Sequence, residues 1–120
     1  MKLFKCSKCG TLIDMLEENC KVFCCGEEMV ELVPNTVDAA KEKHAPLCDI
    51  NDDTVFVRVG EVSHPMDENH YITFIAAEYN DSFVKYKLKP GEEPEGVFDY
   101  EKGMVVYAYC NKHGLWKKEL

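Results

Sequence analysis

Between residues 55 and 109, apolar side chains recur in four runs: VFVRV (55–59), HYITFIAAEY (70–79), FVKYKLK (83–89) and MVVYAY (104–109). Each run is rich in β-branched and aromatic residues, which fit the pleated, extended backbone of a strand. In the third run Val84, Tyr86 and Leu88 alternate with Lys85, Lys87 and Lys89. That period of two predicts a strand with one face buried and the other in water. The intervening segments HPMDEN, NDS, KPGEEPEG and EKG carry the Pro, Gly, Asn and Asp residues that close turns. Short strands spaced in this way predict an antiparallel β-sandwich.

Residues 1–33 follow a different pattern. Their apolar stretches are brief (Leu12–Leu16, Val22–Phe23 and Met29–Leu32), and Gly10 and Gly26 punctuate them. A piece this small cannot support itself on apolar burial, so a bound metal has to supply folding energy. The segment LVPNTVDAAKEKHAP, around Pro34 and Asn35, reads as a linker that leads into a short helical turn and then a loop. The expected organisation is therefore two domains. Residues 1–36 form a metal-bound module with its linker, and residues 37–120 form the sandwich. No internal repeat or low-complexity tract is present.

Composition narrows the class. Of 120 residues, 46% are apolar and 30% charged, as in a folded globular protein. No run approaches the roughly 20 apolar residues that span a bilayer. The start, MKLFKCSKCG, lacks the apolar stretch of an export signal. The expectation is a cytoplasmic protein with no membrane partner. A net charge of −8, from 14 Lys and Arg against 22 Asp and Glu, argues against a nucleic-acid partner, whose phosphates call for clustered cations. An anionic substrate would have to be drawn in by a local positive patch. The seven cysteines cannot all pair with one another, and in a reducing compartment they suggest metal ligands.

Five of those cysteines fall within residues 1–33. In CSKCG (6–10), Cys6 and Cys9 form a knuckle that aims both sulfurs at one ion, and Gly10 permits the tight turn. CCG at 24–26 offers Cys24 and Cys25, which would complete a tetrathiolate suited to iron or zinc. Adjacent side chains diverge, so both can reach one ion only if the backbone bends and the site departs from an ideal tetrahedron. Cys20 is a rival ligand that could pair with Cys24; otherwise it is a free thiol or a core residue.

All four histidines lie in contexts that suit ligands: His44 in EKHAP, His64 in SHPM, His70 in NHYI and His113 in CNKHG. Pro46 and Pro65 stiffen the chain beside two of them. Singly, each reads as an ordinary loop or core histidine. Together with Cys110 they read as a set, because loops at the ends of sandwich strands converge in space. Four imidazoles and one thiolate exceed the usual complement of zinc and point to iron with one position left open. A thiolate pushes electron density toward the opposite position, which suits binding and reducing a small oxygen species. Blue-copper sandwiches also pair Cys and His near the C-terminus, but they need an axial methionine. The residues after His113 are GLWKKEL, with no methionine, and the histidines are too many.

The ordered set CxxCG…CCGexM, EKHxP, HPM…HYI and YCNxHGxW, spread over nearly the whole chain, resembles the desulfoferrodoxins, the two-iron class of superoxide reductase. The resemblance implies an all-β protein with a small desulforedoxin-like N-terminal domain, whose distorted Fe(Cys)4 centre uses Cys6, Cys9, Cys24 and Cys25. It implies an immunoglobulin-like antiparallel β-sandwich, whose iron has His44, His64, His70 and His113 in its equatorial plane and Cys110 behind. The implied reaction is one-electron reduction of superoxide to hydrogen peroxide, with re-reduction by an external donor such as rubredoxin, in a homodimer.

Glu42 and Lys43 match the family's EKH residues. In such enzymes the glutamate can occupy the sixth position of oxidised iron, and the lysine draws in superoxide. The plainer reading of both is an exposed, charged loop. Cys20 and Cys48 have no role in the pattern, and Cys48 is expected to be a small buried hydrophobe. Trp116 is expected to pack the final strand beside the metal loop. The competing reading, from the cysteine knuckle alone, is a non-catalytic iron electron carrier or a zinc-binding module.

Overall fold

A computed structural model describes residues 1–35 and 44–120, which divide into two compact units, Met1–Val33 and Pro34–Leu120. In the first unit β1 (Leu3–Lys5) lies between β2 (Leu12–Asp14) and β5 (Val30–Glu31), antiparallel to both. Strands β3 (Phe23–Cys24) and β4 (Glu27–Glu28) form a separate hairpin. The unit's buried apolar side chains are Leu3, Cys6 and Met29, whereas Leu16, Phe23, Val30 and Val33 are exposed. So thin an interior cannot offset the entropy of ordering this length of chain.

The second unit contains seven described strands: β6 (Pro46–Asn51), β7 (Thr54–Val59), β8 (Ile72–Tyr79), β9 (Ser82–Lys87), β10 (Glu95–Asp99), β11 (Val105–Cys110) and β12 (Gly114–Glu119). They build two antiparallel sheets, ordered β10-β7-β6 and β12-β11-β8-β9. Between the sheets lies one core, with Val55, Val57 and Val59 of β7 and Phe98 of β10 on one side. Ile72, Ile75 and Ala77 of β8 and Val106, Ala108 and Cys110 of β11 face them, joined by Leu88 and Met104. Strand alternation produces this directly, since every second residue of β7 is buried and the others are exposed. The described architecture is all-β, as the sequence predicts. No helix among the described residues is long and apolar enough to cross a membrane.

Strand β9 departs from its expected burial. Val84 and Tyr86 are exposed, and only Leu88, beyond the strand's end, is buried. The cause is architectural: four strands face three, and β9 is the outer strand of the larger sheet. Tyr86 instead leans over the edge of the sandwich. Its ring lies 5.0 Å from that of Phe98, its hydroxyl donates to Val97 O at 3.0 Å, and it passes close over Gly96.

A bulge interrupts the β8–β11 ladder. Tyr109 pairs with Phe74 but Cys110 pairs with Ile72, so Thr73 is passed over. Cys110 and Ile72 both end fully buried.

Candidate metal centres

His44, just before β6, meets His64 and His70 of the β7–β8 connection and Cys110 and His113 of the β11–β12 turn. One ligand atom from each of the five lies within 4.8 Å of all the others. The chain makes each approach locally. Asp67 and His70 exchange backbone hydrogen bonds of 3.0 and 3.2 Å, closing a two-residue turn that presents His70. Cys110 pairs with Gly114 across a three-residue hairpin loop, and Gly114 has φ +82°, a left-handed conformation that costs glycine nothing. That hairpin is why a thiol and an imidazole three positions apart face one point. The thiol itself follows Val106 and Ala108 along the inward face of β11 and rises from the core.

The four imidazoles close a cycle. His44 meets His64 at 4.8 Å between ring centroids, His64 meets His70 at 4.9 Å, His70 meets His113 at 4.9 Å, and His113 returns to His44 at 4.4 Å. Each ring stands steeply to the next, at 69° to 84°. His44 Nε2 lies 2.8 Å from His113 Nδ1, and Cys110 Sγ lies 3.8 Å from the same nitrogen. Two nitrogens bound to one ion at right angles, each about 2.1 Å from it, would be about 3 Å apart.

His64 Nδ1 donates to Pro65 O at 2.7 Å, which leaves Nε2 with a lone pair. Nε2 of His64 and Nε2 of His70 are buried without a hydrogen-bond partner among the described residues. Such an atom costs about 1–3 kcal/mol unless something else takes its lone pair. A metal ion fits this arrangement.

Electrostatics agree. Burial, followed by the like charges of the other histidines, pulls His64 down to about 4 although its bond to Pro65 opposes this. His70 and His113 are also lowered, first by burial; Lys112 and His44 add to the effect on His70, and His44, His70 and Lys112 to that on His113. Burial thus favours the neutral form of His64, His70 and His113, the form that binds metal.

Trp116 does more than the expected packing. Its ring is buried, stacks on His44 at 5.4 Å, and donates Nε1–H to His113 O at 3.0 Å.

In the first unit, the ligand atoms of Cys6, Cys9, Cys24 and Cys25 likewise lie within 4.8 Å of one another. The Cys9 N–H donates to Cys6 Sγ at 3.4 Å, and Cys9 Sγ lies 3.6 Å from Cys24 Sγ. Cys25 solves the problem of adjacency: with φ +53° it turns the chain left-handed, as does Gly26 at +78°, and the Cys24 and Cys25 sulfurs come to 4.0 Å. For a non-glycine residue this conformation costs roughly 1–2 kcal/mol, which the surroundings must supply. The Thr11 hydroxyl, first among several hydrogen-bonding groups, pulls the Cys9 thiol down to about 6. Contact with Cys9 pushes Cys24 up to about 12. A first thiolate forms readily and opposes the second, a repulsion that a bound cation removes.

Cys20 is exposed and lies outside this group. Cys48 is half-buried against the sandwich core, and burial raises its pKa, the opposite of a reactive thiol. Glu42 and Lys43 lie outside the described residues.

Residues 36–119 match the family model described as Desulfoferrodoxin. The chain is 41% identical to the desulfoferrodoxin of Syntrophotalea carbinolica, over 99% of this chain and 96% of that protein. It is 43% identical to that of Desulfarculus baarsii over the same shares. Among solved structures, the superoxide reductase of Treponema pallidum superposes with a TM-score of 0.73 at 30% identity, covering 97% of this chain and 98% of that one. The one-iron superoxide reductase of Giardia intestinalis gives 0.57 at 32% identity, covering 67% of this chain and 98% of that one. The tetrathiolate group and the five-donor group could each hold a metal, consistent with the two-iron arrangement. Identity of this degree along almost the full length reflects common descent, and the chain belongs to the desulfoferrodoxin family.

Proposed function

We propose that this chain is a superoxide reductase, adding one electron and two protons to superoxide: O2•− + e− + 2H+ → H2O2. The observation that carries the reading is the closed cycle of four imidazoles beside the buried Cys110 sulfur. Two buried nitrogens of that cycle have no hydrogen-bond partner among the described residues. Family membership and the names of the similar structures support it. In this reading His44, His64, His70, His113 and Cys110 hold one iron, and Cys6, Cys9, Cys24 and Cys25 hold another. Bound to the five-donor set, iron would supply a one-electron reductant for a small anion.

The chain's own residues do the rest. Steeply set rings, Trp116 behind His44 and the Pro65 carbonyl on His64 fix where the nitrogens point. Complete burial of Cys110 keeps water from its sulfur. Lys43 would draw the anion in against the overall charge of −8, and Glu42 would offer a carboxylate to the oxidised iron. Replacing Lys43 with Ala is expected to slow superoxide capture and weaken its salt dependence in pulse-radiolysis rates. Residues 1–36 then serve as the Fe(Cys)4 domain and linker, and residues 37–120 as the reductase domain. An external rubredoxin-like donor, a homodimeric assembly and a cytoplasmic location complete the proposal. These rest on the family pattern and on cysteines read as metal ligands rather than as disulfides.

The test is stoichiometric. Anaerobically reduced protein given superoxide should yield one peroxide per superoxide and no dioxygen. Half that yield, with dioxygen released, would mean dismutation and would refute the proposal. The tetrathiolate group by itself favours a second reading, an electron carrier or zinc module. Two irons per chain and a visible spectrum distinguish the first reading from colourless zinc or a single metal.

A further inference from the structure

Asn111 directly follows the proposed sulfur ligand, and its hydrogen bonds straddle His70, some forty positions earlier. Its backbone N–H donates to Tyr71 O at 3.2 Å. Its Oδ1 accepts the N–H of Tyr71 at 2.9 Å, and its Nδ2 donates to Asn69 O at 3.1 Å. Asn69 and Tyr71 are the two neighbours of His70. The β8–β11 ladder ends at the Ile72–Cys110 pair, immediately after the bulge. Beyond that pair a side-chain amide takes over the pairing, acting as one more peptide of the strand.

The Ile72–Cys110 pair ties the strand ends together, but His70 and the loop after Cys110 close as separate turns, the Asp67–His70 turn and the Cys110–Gly114 hairpin. Asn111 clips one turn to the other at the positions that carry donor atoms. We infer that Asn111 is a positioning residue of the five-donor centre, fixing the His70 nitrogen relative to the Cys110 sulfur. The inference rests on reading that group as a metal centre. Groups that hold metal ligands from behind are worth about 10–100-fold in metal affinity.

The test uses the full chain loaded with iron, challenged with a chelator and followed by visible absorption and iron release. The tetrathiolate centre in the same molecule is the internal standard. Asn111→Ala removes both side-chain bonds, and Asn111→Ser keeps a small, neutral group that cannot span to Asn69. Thr54→Ala is the control: it removes a 3.1 Å hydroxyl bond to Asn51 O in the β6–β7 turn, at the other end of the sandwich. We expect Asn111→Ala to release iron from the five-donor centre at least about tenfold faster, with the sulfur-to-iron band shifted. Asn111→Ser should fall between it and the wild type. Release from the tetrathiolate centre, and both signals in Thr54→Ala, should stay unchanged.

Wild-type release and an unshifted band in both Asn111 variants, even with a lowered Tm, would overturn the inference and leave the residue a fold stabiliser. If Asn111→Ala does not fold, Asn111→Ser decides by the same readouts. A wild-type chain holding no iron at the five-donor group would overturn the functional reading as well, so the two failures are told apart.

Discussion

At the scale of the residue, His64 is almost fully buried, with one ring nitrogen committed to the Pro65 carbonyl and the other facing the cluster. Its folded pKa of about 4 lies below the ordinary 6.5, so in the window between them the unfolded chain binds a proton that the folded chain refuses. Its stabilisation is therefore complete above 6.5 and is lost as the pH falls toward 4. Urea melts of metal-stripped protein should show stability declining across that window, with a flatter decline in His64→Gln. A second expectation concerns Cys110. The change Cys110→Ser alters one fully buried atom, so circular dichroism should report an intact fold while superoxide consumption is lost, oxygen being the poorer soft donor. The donors themselves were legible in the sequence. Cysteine and histidine in clustered turns are chemically conspicuous, and CNKH puts two of them on one hairpin. Trp116 was legible as packing beside the metal loop, but not its stacking on His44, far off in sequence. Asn111 was not legible as a support: its partners lie some forty positions away, and an asparagine in a turn looks like any other turn residue.

Elements were legible in proportion to how thoroughly the sandwich buries them. Strands β7, β8 and β11 line the core and announce themselves as apolar runs, whereas β6, β10 and β12 are the outer strands of their sheets. In β10 only Phe98 is buried, so Glu95 and Gly96 read as the tail of a turn signal. The opposite error befell β9, whose clean alternation implies a covered face that the three-stranded sheet does not reach. Tyr86 closes that edge, and the closure can be tested. A Cβ at Gly96 would stand 3.1 Å from Tyr86 Cδ2, while the ring is held by Phe98 and by its bond to Val97 O. The ring must give by a few tenths of an ångström against Phe98 and that bond, so Gly96→Ala should destabilise by about 1 kcal/mol in denaturant melts. In a Tyr86→Ala background the same change should cost much less, and an undiminished cost would place the strain elsewhere.

For the whole molecule, two units of one chain stand on different physics, and removing metal separates them. The sandwich has a continuous core drawn from both sheets, with Val55, Val57, Ile72, Ile75 and Val106 fully buried, so its strands do not depend on an ion. The first unit has strands of two or three residues, few buried apolar side chains and a left-handed cysteine. There a bound cation would serve as the core: it would offset the repulsion that a Cys9 thiolate sets against a second one at Cys24, and tie Cys6 and Cys9 to Cys24 and Cys25. Stripping both metals should therefore leave amide protons of β7, β8 and β11 protected from exchange while those of β1, β2 and β5 exchange at nearly free-peptide rates. Limited proteolysis of the stripped chain should cut within residues 1–33 first, and restoring iron or zinc should return protection there. Lasting protection at Leu3–Lys5 without metal would show that apolar packing alone holds the first unit. Loss of protection in β11 at the same chelator concentration would show that the five-donor end, too, relies on its ion.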